Sequence, residues 1–345
     1  MTYQREFDKC LNIAVVGIGS HSYRNILPAL TYLPVRLKAI CNHSNLEVAK
    51  RTAAQYGCKA YQSTKEMYEK EQLDAVFISV APEIHASLII EALEAGLHVF
   101  VEKPDAMTAK EVQKIIEHRK GKVVMVGYKK AFMPAIRKVM EVCQSDQYGQ
   151  LESMLAVYPL KMPTDPYLAL DGLKRTDWLN NGCHPLSVLL AVGGLVRSVI
   201  SVQGPNHNGA NLIKFKSGVV GTLLLASGPQ PLEDYQFYAS KWHLRIDNTS
   251  KVILQRGFPF VYGKTTSFIP EGFDSGALVW EAQNCKATLE NKALFIQGMY
   301  NELMTFCQCV LEGRQPDVGS LEFSLNLHKV SEALMVSGGQ EIEMG

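Results

Sequence analysis

The chain has 345 residues, a formal net charge of +1 and 20% charged residues. This length favours two domains, and the nearly neutral charge excludes a strongly electrostatic partner such as nucleic acid or an anionic membrane surface. No stretch is apolar for long enough to cross a bilayer, and the first residues lack the apolar core of a signal peptide. We therefore expect a cytoplasmic protein that acts on a small molecule.

The eight cysteines are scattered along the chain, and Cys307 and Cys309 are the only close pair. Their spacing matches neither a zinc ribbon nor a redox CxxC motif. We expect reduced and mostly buried thiols, and no metal site.

The chain opens with a pattern that is typical of a dinucleotide-binding βα unit. An apolar run over residues 11–17 leads into a glycine-rich turn, and a helical segment then reaches Leu33. In such a turn the first glycine permits the tight bend, and the second lets the backbone approach a pyrophosphate at the positive end of the helix. A small third residue lets the helix pack on the strand. The candidate cofactor ligands in this turn are Gly17, Gly19, Ser20, His21 and Ser22.

Predicted strands then alternate with predicted helices as far as residue 127. The strands are Leu37–Cys41, Ala75–Val80, Val99–Val101 and Val123–Val126, and the helices are Glu47–Gln55, Ile84–Ala95 and Ala109–Lys120. This alternation implies βαβ units and an α/β fold with a doubly wound parallel sheet of the Rossmann type. Residues 1–130 are therefore predicted to form an NAD(P)-binding domain.

From residue 131 the pattern changes to alternating apolar and polar runs. The predicted strands are Leu151–Tyr158, Val196–Val202, Leu212–Phe215, Val219–Ala226, Tyr235–Ala239, His243–Asp247 and Val252–Gln255. A helix after Pro134 precedes them, and helices over Ile296–Glu312 and Leu321–Val336 close the chain. We expect residues 131–345 to form an α+β domain with a large, mostly antiparallel open sheet, which binds the substrate.

Several polar residues follow the predicted parallel strands, and open α/β sheets bind ligands at the carboxyl ends of their strands. Pro82 and His85 come after the strand that ends near Val80 and are candidate cofactor contacts, although a structural role suits His85 better. Tyr128 and Lys130 end the last strand of this domain. They are candidate substrate contacts, with a plain polar strand end as the alternative.

The end of the second strand bears on the choice between NAD and NADP. Sites for NAD usually carry Asp or Glu there, whereas sites for NADP lack the carboxylate and supply a cation. Here the residues are Asn42, His43 and Ser44, with neither an acid nor an arginine. The missing carboxylate slightly favours NADP, and these three residues are candidate ligands of the ribose or its phosphate.

Four segments together resemble a known family, the glucose-fructose oxidoreductase/inositol dehydrogenase (Gfo/Idh/MocA) oxidoreductases. They are residues 92–99, Glu102-Lys103-Pro104, Gly127-Tyr128-Lys129 and Gly182-Cys183-His184, and the Glu-Lys-Pro block is the most specific. The resemblance implies an NAD or NADP enzyme that oxidises a sugar, cyclitol or related alcohol, or reduces the matching ketone. It also implies a homodimer or homotetramer formed through the open sheet.

The resemblance makes Lys103 the active-site lysine and His184 the histidine of the family's Asp-x-Gly-x-His-x-x-Asp segment. Here Asn180 and Ser187 replace both aspartates, and Ala131 stands where relatives commonly have a basic residue. These departures concern the proton relay and the substrate class rather than the fold.

General chemistry supports the same pair, because a carbinol loses hydride only as its hydroxyl proton is removed. A base near neutral pKa and a cation for the developing oxyanion are then needed, which His184 and Lys103 provide. Pro185 is tolerated in a first helical turn, so His184 is predicted near a helix start, with a pKa at or below the usual ~6.5. Asn180 would orient the imidazole or a substrate hydroxyl. Glu102 would pair with Lys103 or contact the cofactor ribose.

Asp177 and Trp178 precede the histidine segment and are candidate substrate contacts, because an indole face suits the apolar side of a pyranose. A core tryptophan is the alternative. The sequence thus predicts an NAD(P)-dependent oxidoreductase that interconverts a hydroxyl and a ketone on a sugar-like substrate. Two other functions stay open: a non-catalytic nucleotide- or sugar-binding sensor, and a glycosidase that uses tightly held NAD.

Overall fold

A computed structural model describes residues 7–145, 148–172, 174–228, 233–247, 249–257, 260–265, 276–281 and 292–345. These residues form two sheets, one from each half of the chain. The seven cysteines among them are free thiols. No helix in the described part of the chain is long and apolar enough to cross a membrane.

The first sheet has six parallel strands in the order β3-β2-β1-β4-β5-β6. Its central strands are buried apolar runs, as expected for a parallel sheet covered on both faces. The strand order reverses between β1 and β4, which is where such sheets bind their ligands. The strands are β1 (Leu11–Val16), β2 (Val35–Cys41), β3 (Lys59–Tyr61), β4 (Ala75–Ile78), β5 (His98–Glu102) and β6 (Val124–Gly127).

The helices of this half connect its strands. The segment after the glycine turn is irregular, with a π-helical stretch Ser22–Ile26, α1 (Leu27–Ala29) and a 3₁₀ turn Leu30–Tyr32. Pro28 lies in it and lacks the amide hydrogen that a regular helix needs. The remaining helices are α2 (Leu46–Tyr56), α3 (Thr64–Lys70), α4 (His85–Glu94) and α5 (Ala109–His118).

The second sheet has nine strands in the order β14-β13-β12-β11-β7-β10-β9-β8-β15. Every pairing is antiparallel except that of β7 with β10. The predicted doubly wound sheet followed by a mostly antiparallel open sheet is therefore confirmed. The strands are β7 (Leu151–Tyr158), β8 (Val196–Gln203), β9 (Gly209–Phe215), β10 (Val220–Leu225), β11 (Asp234–Ala239), β12 (Trp242–Asp247), β13 (Lys251–Arg256), β14 (Ala277–Glu281) and β15 (Ile342–Glu343).

The described residues of the second half form seven helices. They are α6 (Pro134–Gln144), α7 (Pro166–Leu170), α8 (Asp177–Asn181), α9 (Cys183–Gly193), α10 (Lys292–Ile296), α11 (Met299–Glu312) and α12 (Leu321–Val336). Two of them, α11 and α12, contact the first sheet. Phe306 of α11 packs edge-on against Phe77 and Phe100 of the first sheet, with ring centroids 5.5 and 5.9 Å away. The end of the chain thus contributes to the core of its beginning.

Candidate active site

The glycine turn is shaped by contacts that only glycine permits at its first position. Gly17 has φ +90°, and a Cβ built there would lie 2.1 Å from the carbonyl oxygen of Ser79. Ser22 is fully buried, and its hydroxyl donates to the Gly17 carbonyl oxygen at 2.6 Å. A Cβ on Gly19, by contrast, would have nothing within 4 Å. The turn is therefore fixed against the sheet on one side and open on the other.

This open side fits a dinucleotide. Ser20 and His21 form the first turn of the helical segment, where amide hydrogens have no partner within the helix and can bind phosphate. The space around Gly19 would admit a pyrophosphate close to the backbone.

Glu102, at the end of β5, faces the same turn. Its Oε1 lies 2.7 Å from Nε2 of His21, and the Asn25 side-chain nitrogen lies 3.1 Å from Nδ1 of that ring. The Asn25 amide donates to Nδ1, and the other ring nitrogen is the one close to the carboxylate. Glu102 was predicted to pair with Lys103 or to contact the cofactor ribose. Among the described residues it lies next to His21 and forms no ion pair with Lys103.

Lys103 bridges the two halves of the chain. Its Nζ donates to the backbone carbonyl oxygen of Asn180 at 2.9 Å. The same carbonyl accepts the thiol hydrogen of Cys183 at 3.3 Å. Asn180 therefore anchors the lysine through its main chain, and the predicted role of its side chain stays a prediction.

His184 is the second residue of α9 and only 8% exposed. Its Nδ1 is buried and has no hydrogen-bond partner among the described residues. Burial lowers the pKa of His184 well below its ordinary value, and the cations Lys103, Lys130 and Lys129 lower it further. The direction agrees with the prediction, but the main cause is burial. The imidazole is neutral and available to accept a proton. Ser187, in place of the second aspartate, donates back to the His184 carbonyl at 2.9 Å.

Lys130 and Glu233 form a second bridge between the halves. The lysine Nζ lies 2.6 and 2.9 Å from the two carboxylate oxygens, and both side chains are largely buried. The Tyr235 hydroxyl also donates to Glu233, at 3.4 Å. Lys130 was predicted to contact substrate, and its charge is paired with that of Glu233. No sequence motif indicated Glu233.

Tyr158, at the end of β7, is a further residue that the sequence analysis missed. Its ring centroid lies 6.5 Å from that of His184. Burial, and next the Glu233 carboxylate, raises the pKa of the Tyr158 phenol far above its ordinary value. It therefore stays protonated beside the imidazole. Only its position at a strand end hinted at a role.

Tyr128 is placed away from the cleft, against the prediction that it contacts substrate. It is fully buried, and its hydroxyl lies 2.8 Å from that of Ser324 and donates to Asp105 at 3.4 Å. Ser324 also donates to Asp105 at 2.7 Å, and His328 lies 3.2 Å from the same carboxylate oxygen. Tyr128 thus belongs to a buried polar cluster that joins the first half to α12.

His85 has a structural role, because neither of its ring nitrogens is free to contact the cofactor. Its Nδ1 donates to the Pro104 carbonyl oxygen at 2.6 Å, and its Nε2 accepts the Val80 amide at 3.3 Å. Both ring nitrogens are used, and the ring is 1% exposed. His85 therefore fixes the loop after β4 to the loop that carries Lys103. Pro82, also buried, begins the turn before α4.

The loop after β2 lies beside the glycine turn, because the Gly17 amide donates to the Cys41 carbonyl oxygen at 2.9 Å. Asn42 donates to the Asn45 carbonyl at 3.3 Å, and Nδ1 of His43 lies 3.3 Å from the Gln62 carbonyl. Ser44 is exposed. These residues bring no carboxylate and no arginine to this loop, so their role in choosing between NAD and NADP stays a prediction.

A cavity of about 700 Å³ adjoins α8 and the end of β7, and Asp177 and Trp178 are among the residues that line it. We call it the β7 cavity. Trp178 is 1% exposed, and its Nε1 donates to the Ser331 carbonyl at 3.4 Å. It is thus a core residue that also forms part of the cavity wall. The Asp177 carboxylate accepts a hydrogen bond from the Asn181 side chain.

Glu302 lies in α11, and the charged groups near it are Glu102, Lys129 and Lys103. It is completely buried, and neither carboxyl oxygen has a hydrogen-bond partner in the described part of the chain. Burial, and next the Glu102 carboxylate, raises the pKa of Glu302 well above its ordinary value, while Lys129 and Lys103 oppose that shift. Glu302 therefore keeps its proton to a higher pH than an ordinary carboxyl does.

Comparison with known proteins agrees with this geometry. Residues 11–128 match an oxidoreductase family with an NAD-binding Rossmann fold. A dTDP-3,4-didehydro-2,6-dideoxy-alpha-D-glucose 3-reductase from Saccharopolyspora spinosa is 25% identical over 250 residues, which is 69% of this chain and 75% of that protein. An inositol 2-dehydrogenase from Salmonella paratyphi B is 30% identical over 151 residues, 41% of this chain and 43% of that one.

The fold also has a close counterpart among solved structures. A dehydrogenase from Chromobacterium violaceum superposes with a TM-score of 0.79 and 24% identity, covering 94% of each chain. At this identity the likeness concerns the fold.

Proposed function

We propose that this chain, of which residues 11–128 match an oxidoreductase family with an NAD-binding Rossmann fold, is a Gfo/Idh/MocA oxidoreductase. It interconverts a hydroxyl and a ketone on a sugar, cyclitol or related polyol, with NAD or NADP as coenzyme. The observation that carries the proposal is the convergence of Lys103 and His184. Lys103 follows a strand of the first sheet, yet its ammonium is bound to a carbonyl four residues before His184. It is also the strongest of the charges that lower the His184 pKa.

The chemistry divides between these two side chains. A bound nicotinamide coenzyme supplies the hydride acceptor or donor. An ammonium has three N–H donors, and Lys103 uses one of them on Asn180, so others can bind the substrate oxygen and stabilise its developing negative charge. The neutral His184 takes the hydroxyl proton in oxidation and returns it in reduction. Its lowered pKa means that the ring starts the oxidation in its unprotonated form at neutral pH.

The remaining groups would shape the site around this pair. Gly17, Gly19 and the helical segment after them would bind the pyrophosphate, and Glu102 with His21 would face the coenzyme side of the cleft. We favour NADP over NAD, because the loop after β2 offers no carboxylate to repel a ribose phosphate.

We also propose a cytoplasmic homodimer or homotetramer assembled through the second sheet. The side of this sheet opposite the helices carries exposed apolar residues on adjacent strands: Leu212 on β9, and Val220 and Leu224 on β10. Burying such a face between subunits would remove apolar surface from water.

The test mixes the purified protein with NAD or NADP and a panel of sugars, inositols, sugar phosphates and glycosides, and follows nicotinamide absorbance with product analysis. We expect a steady absorbance change with at least one sugar-like alcohol or ketone, and its loss in Lys103→Met and His184→Ala. Cleavage of a glycoside without net absorbance change would indicate a glycosidase. Binding without either reaction would indicate a sensor.

A further inference from the structure

The β7 cavity is built entirely from the second half of the chain. Its walls are residues 159–165 after β7, Leu168 of α7, residues 174–178 at the start of α8, and residues 226–228 after β10. None of its lining residues belongs to the first sheet or the glycine turn. The cavity is therefore separate from the crevice that a dinucleotide would occupy.

The cavity nevertheless adjoins the candidate catalytic pair. Tyr158, whose ring lies beside that of His184, directly precedes the first wall. Trp178 lines the cavity, and Asn180, whose carbonyl binds Lys103, comes two residues later in the same helix. Two residues advance a helix by about 3 Å. A ligand whose reacting carbon lies at Lys103 and His184 would thus extend directly into the β7 cavity.

Three cations line this cavity. Lys161, Lys174 and Arg175 are exposed, and none of them forms an ion pair or side-chain hydrogen bond with any residue that the structure describes. The two carboxylates in the wall, by contrast, already accept hydrogen bonds. Asp165 accepts the amides of Tyr167 and Leu168, at 3.0 and 3.4 Å, and Asp177 accepts from Asn181. The charged side chains of the lining are therefore three cations and two carboxylates, and the excess charge is positive.

The floor of the cavity is apolar. Leu160, Met162 and Trp178 line it and are each buried. A sugar ring can rest its apolar side on this floor, but its neutral hydroxyls do not require three cations in the rim. A phosphoryl group suits such a rim, because arginine binds phosphate oxygens through two parallel N–H groups and lysine binds them as a point charge.

We propose that the β7 cavity binds a phosphoryl group carried by the substrate, so that the enzyme acts on a phosphorylated sugar with Lys161, Lys174 and Arg175 as the phosphate ligands. This rests on the proposed function for the identity of the reacting part. Both a sugar monophosphate and a nucleoside diphosphate sugar contain the required group, and the volume of about 700 Å³ admits either.

The experiment measures binding by calorimetry at fixed ionic strength, without turnover. The probes are glucose, glucose 1-phosphate and UDP-glucose. The proteins are the wild type, Lys161→Gln/Lys174→Gln/Arg175→Gln, the charge-conserving Lys174→Arg, and Lys65→Gln, which removes an exposed lysine of α3 far from the cavity. Circular dichroism and melting temperature establish that each variant is folded.

We expect the phosphorylated probes to bind the wild type at least about tenfold more tightly than glucose, and the triple variant to lose that advantage. Lys65→Gln and Lys174→Arg should keep it. Equal binding of both phosphorylated probes would assign the site to a sugar phosphate, and tight binding of UDP-glucose alone to a nucleoside diphosphate sugar.

The inference is overturned if no phosphorylated probe binds better than glucose, or if the folded triple variant binds it as the wild type does. Phosphate bound at the glycine turn would give this second result. Cavity-dependent binding without any hydride transfer would instead refute the proposed function and leave the phosphoryl site standing. Turnover of neutral sugars with no phosphate preference would do the reverse.

Discussion

Lys103 and Asn180 lie 77 positions apart, and a hydrogen bond of 2.9 Å joins the ammonium of the first to the main-chain carbonyl of the second. The orientation of the lysine is thus fixed by a main-chain carbonyl, which any residue at position 180 would provide. We expect Asn180→Ala to keep kcat within about threefold of the wild type, while Lys103→Met lowers it by about 10²–10³-fold, as the loss of an oxyanion-stabilising donor usually does. Steady-state kinetics on both variants check this. A loss in Asn180→Ala as large as that in Lys103→Met would show that the amide side chain takes part.

The buried His184 predicts the pH dependence of the oxidation direction. Since its folded-state pKa is lowered, the imidazole stays neutral through pH 6.5 and above, and kcat/KM should lose its base only at a pH clearly below that value. A pH–rate profile from pH 4.5 to 9 checks the position of the acid limb. A limb above neutrality that disappears in His184→Ala would contradict the assignment.

The Lys130–Glu233 bridge predicts a strong coupling in stability. Removing one partner leaves the other as an uncompensated, largely buried charge, so Lys130→Met and Glu233→Gln should each lower the free energy of unfolding, by about 3 kcal/mol for the worse of them. The double variant should cost clearly less than the sum of the two. Urea unfolding of all four proteins gives the coupling energy. Additive costs would mean that the two charges do not compensate each other.

Glu302 predicts a stability that falls as pH rises. Its pKa is raised on folding, so between the ordinary carboxyl pKa and the folded-state pKa the folded protein binds the extra proton. Each pH unit in that window then costs about 1.4 kcal/mol. Glu302→Gln cannot ionise, so its stability relative to the wild type should increase from pH 5.5 to pH 8.5. Denaturation at several pH values checks this, and a constant difference would place the carboxyl outside this linkage.

The two glycines of the first turn make a matched pair of variants. Gly17→Ala places a Cβ 2.1 Å from the Ser79 carbonyl oxygen at a positive φ, and should lower the melting temperature markedly. Gly19→Ala meets no protein atom within 4 Å and should leave the melting temperature unchanged. It should still weaken dinucleotide binding by about tenfold, because the methyl occupies the space that the pyrophosphate needs. Tight binding by Gly19→Ala would show that the phosphates lie elsewhere.

The parallel sheet was predictable because its strands are continuous apolar runs separated by amphipathic helices. The strand β3 (Lys59–Tyr61) was missed because it has three residues and one buried side chain. The following helix α3 was also missed, although Ser63 and Glu66 show the spacing of a helix start, and Ser63 does accept the Glu66 amide. The strand β14 was also not predicted. It is short and exposed at alternate positions, and it lies next to residues that the structure does not describe.

The site residues that could be predicted are those that lie in sequence motifs. Lys103 and His184 stand in recognisable segments. Tyr158, Glu233 and Glu302, by contrast, lie far in sequence from the residues they approach, which are His184, Lys130 and Glu102 respectively. Tyr128 failed as a substrate contact because a tyrosine at a strand end can turn toward either side. Asp105, Ser324 and His328 give it polar partners in the interior.

The packing of Phe306 on Phe77 and Phe100 has a consequence for dissecting this protein. A fragment cut after the last strand of the first sheet would leave those two rings bare, and β6 would lose the Gly319 carbonyl that accepts its Val126 amide. Chimeras that exchange the substrate-facing portion between relatives therefore have to retain the terminal helices with their original Rossmann partner.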